Sequence, residues 1–86
     1  YWATDHPDHP IWHELGHAMQ HDNSPIAYQA QAKLTIAELG IADKVSGYAQ
    51  IDVREFVAET FAVLAIGKTL PNDVLTLYQL HGGLLP

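Results

Sequence analysis

The chain has no cysteine, so neither a disulfide framework nor a thiolate-ligated metal site is open to it. Cations are scarce as well. Four Lys and Arg stand against ten Asp and Glu, for a net charge of −6. Lys33, Lys44, Arg54 and Lys68 are scattered along the sequence. Phosphate binding needs clustered cations, so no nucleic acid and no membrane are expected as partners. Long apolar runs are missing too. The most apolar stretch, 56–67, carries Glu59 and is too short to span a bilayer. There is no internal repeat, no low-complexity tract and no alternating strand pattern. No signal peptide is visible at the start, which is Tyr1 and not Met. We therefore expect one domain over residues 1–86 that is part of a longer chain. A domain of this size buries only ~60–65% of its unfolded surface, and a bound metal is one way to gain stability.

What is present is punctuation for helices. Pro10, with His9 before it as a cap, opens a helix expected over 10–21. Ser24 and Pro25 open a second, amphipathic one, expected over 25–39 and stopped by Gly40. Its apolar side would hold Ile26, Ala30, Leu34, Ile36 and Ala37. Residues 40–51 read as a loop. Asp52 caps a third helix over 53–66, ended by Gly67. A fourth runs over 71–81 to Gly82-Gly83. The expected fold is mainly α, a compact four-helix unit. Trp2, Trp12 and Tyr28 are expected in a core or interface.

Into this frame the segment WHELGHAMQH places His13, Glu14, His17 and His21. Residues four apart share a helix face about 6 Å apart along the axis, so His13 and His17 can both ligate one ion at ~2.0–2.1 Å. Glu14 then projects beside that ion, near enough to hold a water but not to replace a ligand. A polar helix that spells the motif by chance is the bland alternative. A catalytic zinc wants three protein ligands and an open fourth position. The position that a third downstream histidine would take is Asn23, and His21 lies a full turn too far along.

The third helix offers another ligand. It is apolar almost all round, yet it carries Glu55 and Glu59 on one face. A buried carboxylate needs a cation, a metal or good donors. We assign Glu55 as third ligand and Glu59 as acceptor for the ring N–H of a ligating histidine, His13 first. The competing reading makes Glu55 part of a capping box with Asp52 and leaves Glu59 exposed. Gly16 costs up to about 1 kcal/mol inside a helix, which a close approach of the third helix would explain.

These residues resemble a known family. His13-Glu14-Leu15-Gly16-His17, followed by Tyr48-Ala49 and then Glu55-Phe56-Val57-Ala58-Glu59-Thr60-Phe61, is similar to the glutamate-type zincins (gluzincins). The chain looks most like the anthrax lethal factor-like catalytic domain and related phage-borne and toxin-associated peptidase domains. The resemblance implies Zn2+ held by His13, His17 and Glu55, with Glu14 as general base. It adds Tyr48 as a loop hydroxyl facing the reacting carbonyl, and a peptide or protein substrate. It implies hydrolysis of peptide bonds by a soluble protein, and leaves the localisation open between a secreted toxin, a phage-associated protein and a processing protease. Zincins carry a sheet upstream of the first motif, and nothing before Pro10 could form it. A non-catalytic zinc-stabilised structural or interaction module is the alternative function, and a plain helical interaction domain without metal a third. His6 and His9 are expected at the surface of the lead segment, with a role near the mouth of the site as the less favoured alternative, and His81 at a helix C-terminus.

Overall fold

Two helices pack against each other and the rest of the chain wraps them. The computed structural model describes residues 3–86, so the expectation for Trp2 lies outside the described residues. In chain order the elements are α1 (His9–Asn23), α2 (Pro25–Gln29), α3 (Ile36–Ala42), a 3-10 turn (Tyr48–Gln50), α4 (Val53–Ala65) and α5 (Asn72–Leu80). Among the described residues there is no strand, and the fold is mainly helical. No helix among them is long and apolar enough to cross a membrane.

The count of helices differs from expectation, five against four, and the difference has a local cause. The second helix was expected to run unbroken over 25–39. It stops at Gln29, and Gln31 takes the left-handed backbone, φ 50°. The chain then runs non-helically until Thr35 starts α3 with a complete capping box. The Thr35 hydroxyl accepts from Glu38 N–H at 3.2 Å, and the Glu38 carboxylate accepts from Thr35 N–H at 2.8 Å. The Ala32 carbonyl, freed from any helix, accepts from Val53 N–H at 3.0 Å at the head of α4. The expected apolar stripe therefore does not exist as a face. Leu34 is buried, whereas Ile26 and Ile36 are 85% and 90% exposed. Gly40 does not stop a helix, since α3 continues through it to Ala42.

α1 begins at His9, one residue before Pro10, and its cap position is Asp8. α4 follows expectation: Asp52 caps it by accepting Glu55 N–H at 2.9 Å, and Gly67 (φ +98°) turns the chain away. Its apolar character is used on every side, with Val53, Phe56, Val57, Ala58, Ala62 and Val63 buried. Phe56 is fully buried, and truncation to Ala is worth about 3–5 kcal/mol. Trp12 and Tyr28 are half-buried. α5 closes the core with Val74, Leu77 and Tyr78. Its end folds back on α1, where Gln20 Nε2 donates to the His81 carbonyl at 2.8 Å.

Candidate metal centre

The site forms where α1 and α4 touch. Gly16 lies on the α1 face between His13 and His17. A Cβ built on it would fall 2.8 Å from Ala58 Cα and 3.0 Å from its carbonyl oxygen. The missing side chain thus lets the α4 backbone reach α1, as the cost of a helical glycine suggested. Ala58 lies between Glu55 and Glu59, so this approach brings both carboxylates to the histidines.

His13 and His17 sit one turn apart, with ring centroids 4.8 Å apart and planes at 81°. Both point Nε2 at the Glu55 carboxylate. His13 Nε2 is 3.2 Å from Glu55 Oε2, and His17 Nε2 is 2.6 Å from Glu55 Oε1. The hydrogen bonds from His13 and His17 hold the Glu55 carboxyl down at about 2. On its other side His13 donates Nδ1–H to Glu59 Oε2 at 2.7 Å. His13 is therefore flanked by two carboxylates. Burial lowers its pKa, but the bonds to Glu55 and Glu59 and their charges raise it more, to about 9. Glu14 is exposed, and one of its oxygens lies within 4.8 Å of ligand atoms of His13 and His17. Tyr48 opens the 3-10 turn, half-buried, its ring edge-on to His13 at 6.0 Å between centroids.

Glu59 is 0% exposed and is the acceptor at the centre of the support. His9 Nε2 lies 2.5 Å from Oε2, while Ser46 Oγ and Ala3 N–H each donate to Oε1 at 2.9 Å. Burial raises the Glu59 carboxyl, but the bonds from His13, His9 and Ser46 outweigh it and hold the group below its usual range. The competing sequence reading, with Glu59 exposed, fails here. The surface position expected for His9 fails as well: it is 1% exposed inside α1, with Thr4 Oγ1 2.9 Å from Nδ1. His9, Ser46, Thr4 and the Ala3 amide were missed by sequence reasoning. His9 had a signal, since it precedes His13 by four residues and continues the same stripe. Ser46 had none, because only the folded loop brings it to Glu59.

The remaining histidines stand apart. His6 is exposed and accepts Asp8 N–H at 3.1 Å. His21 is 53% exposed, 3.9 Å from Asp22. His81 sits at the end of α5, 2.7 Å from Glu38 Oε2.

Among the described residues, two groups of side chains have donor atoms close enough to hold a metal ion: His9, His13 and Glu59, and His13, Glu14 and His17. They differ chemically. The first is fully buried, and its carboxylate already accepts from four donors, so no position is left for a water or substrate. The second is half open to solvent and has the Glu55 carboxylate beside it. Ligands of a tetrahedral ion at ~2.0–2.1 Å lie about 3.3 Å apart. The 3.2 Å between His13 Nε2 and Glu55 matches that spacing, and the 2.6 Å at His17 needs to open by about 0.7 Å. With the His13 Nδ1–H donated to Glu59, Nε2 is the ring nitrogen left to face this space, and it offers a lone pair to an ion once its own proton is displaced. The second group, with Glu55 beside it, is geometrically able to hold a metal ion. Comparison of the chain with protein-family models, with curated proteins and with solved structures finds no match.

Proposed function

We propose that the chain is the catalytic unit of a zinc-dependent metallopeptidase of the glutamate type, with His13, His17 and Glu55 as ligands. The observation that carries this reading is the Glu55 carboxylate spanning the Nε2 atoms of both histidines, while a second carboxylate, Glu59, takes the other nitrogen of His13. A plain helical bundle has no need of a partly exposed carboxylate held by two imidazoles.

When bound, zinc supplies an acidified water and a Lewis acid for the substrate carbonyl. Glu14, exposed beside His13 and His17, would act as general base, taking the proton of a water held there as the water oxygen bonds to the peptide carbon. Tyr48 presents its hydroxyl to the carbonyl oxygen as charge develops there. The C–N bond then breaks, and Glu14 returns its proton to the leaving amine. Glu59 keeps His13 in one tautomer throughout. The substrate is a peptide or protein.

A second reading has support of its own. The ligands join α1 to α4 at the centre of the fold, so an ion there would also staple a small domain without catalysis. One experiment separates the two. The purified chain is assayed for zinc by atomic spectroscopy and for cleavage of a broad peptide library, beside Glu14→Gln. The peptidase reading expects one zinc in both proteins and cleavage in the parent alone. Zinc in both and no difference in cleavage leaves the staple, and no zinc after supplementation removes both readings.

A further inference from the structure

Beside the metal centre stands a guanidinium whose donors are unused. Arg54 precedes Glu55 on α4, and its Cζ lies 5.2 Å over the ring of Tyr28. Tyr28 in turn meets His17 edge-on at 6.0 Å and His21 at 5.2 Å between centroids. One aromatic ring thus separates the Arg54 fork from a proposed zinc ligand. The nearest carboxylate to the fork is Asp52, with Nη2 to Oδ2 at 3.8 Å. That is an ion pair beyond hydrogen-bond length. Asp52 is already committed through Oδ1 to the Glu55 amide. No hydrogen bond is made by the guanidinium among the described residues, and its Nε is buried without a partner.

We propose that Arg54, set over the ring of Tyr28, is a carboxylate-recognition subsite at the edge of the metal centre. Its ligand is a peptide bearing a carboxylate, either an acidic side chain or the free C-terminus. The other cations have different roles or places. Lys44 pairs with Asp73, Lys33 reaches the Ile51 carbonyl at 3.4 Å, and Lys68 is exposed beyond α4. Among the four cations Arg54 combines contact with an aromatic ring, partial exposure and nearness to the site, and a planar fork suits a carboxylate better than an ammonium does. The contact with Tyr28 restricts the side chain and so lowers the ordering cost of binding.

The inference rests on the zinc-peptidase reading for its position relative to the scissile bond, but binding is measurable without turnover. Three matched pentapeptides serve as probes: one with a central Glu and an amidated C-terminus, its central-Gln twin, and the Gln peptide with a free C-terminus. Each is titrated calorimetrically into the whole chain, with and without zinc. At least one carboxylate peptide is expected to bind about tenfold more tightly than the amidated Gln peptide. Which one does so identifies the source of the carboxylate. Arg54→Gln is expected to abolish the difference with zinc content unchanged, and Arg54→Lys to keep only part of it. Equal affinities for all three peptides, no binding at millimolar concentration, or a preference that survives Arg54→Gln would each overturn the subsite. A preference that depends on Arg54 without any cleavage supports the subsite and counts against the peptidase. Cleavage with no carboxylate preference does the reverse.

Discussion

Gly16 sits directly on Ala58, so close that a β-carbon at residue 16 would lie 2.8 Å from the Ala58 Cα. This spacing sets how far Glu55 is from the histidines. Gly16→Ala adds helix propensity of up to about 1 kcal/mol but forces two backbones apart, and overpacking of this kind costs about 1–3 kcal/mol. We expect a net loss of stability in urea unfolding, together with weaker zinc binding as Glu55 withdraws. A variant as stable as the parent, with the same zinc affinity, would show that the approach is dispensable.

His9 acts on the centre through Glu59, with which it shares a 2.5 Å bond. His9→Gln removes the imidazole that helps to fix the carboxylate holding His13. Loss of such a supporting partner costs about 10–100-fold in metal affinity. A chelator competition titration reads this directly, with circular dichroism as the check on folding. Unchanged affinity would reduce His9 to a packing residue.

Tyr48 is tested by Tyr48→Phe. The hydroxyl is lost and the ring against His13 is kept. Removing one oxyanion donor costs about 10²–10³ in kcat. Zinc content and melting temperature are expected to stay the same. Full activity in this variant would leave the ring as a packing group only.

The pH dependence of the metal-free chain follows from two opposite shifts. His13 is raised from 6.5 to about 9, so its contribution is complete below about 6.5 and is lost as pH rises through about 9. Glu55 is lowered from 4.5 to about 2, so its contribution is present above about 4.5 and is lost as pH falls through about 2. Melting temperature in chelator should therefore be highest between about 4.5 and 6.5. Zinc must displace the second His13 proton, so its affinity should climb as pH rises from about 6.5 toward 9. A melting temperature that is flat across this range would show that the His13 pairings contribute nothing to stability.

Much of this arrangement was legible in the sequence because it is periodic. The four-residue interval puts His13 and His17 on one face, the same interval puts Glu55 and Glu59 on another, and a glycine marks where the two faces meet. What escaped reading was set by distant or competing contacts. The segment 30–35 carries enough apolar residues to suggest one long helix. Thr35-Ile36-Ala37-Glu38 nevertheless spells a new start, and the Ala32 carbonyl is taken by Val53. His9 looked like a cap because Pro10 follows it. Only the arrival of Glu59, 50 residues later in the chain, gives its ring a buried partner.

Glu59 gathers the chain ahead of α1, α1 itself and the loop that bears Tyr48, through Ala3, His9, His13 and Ser46. Opening any one of these segments alone takes at least one donor from a fully buried anion. Their amide protons should therefore exchange with solvent as one cooperative block, and the tyrosine and the histidines keep their mutual register for as long as that block stays shut.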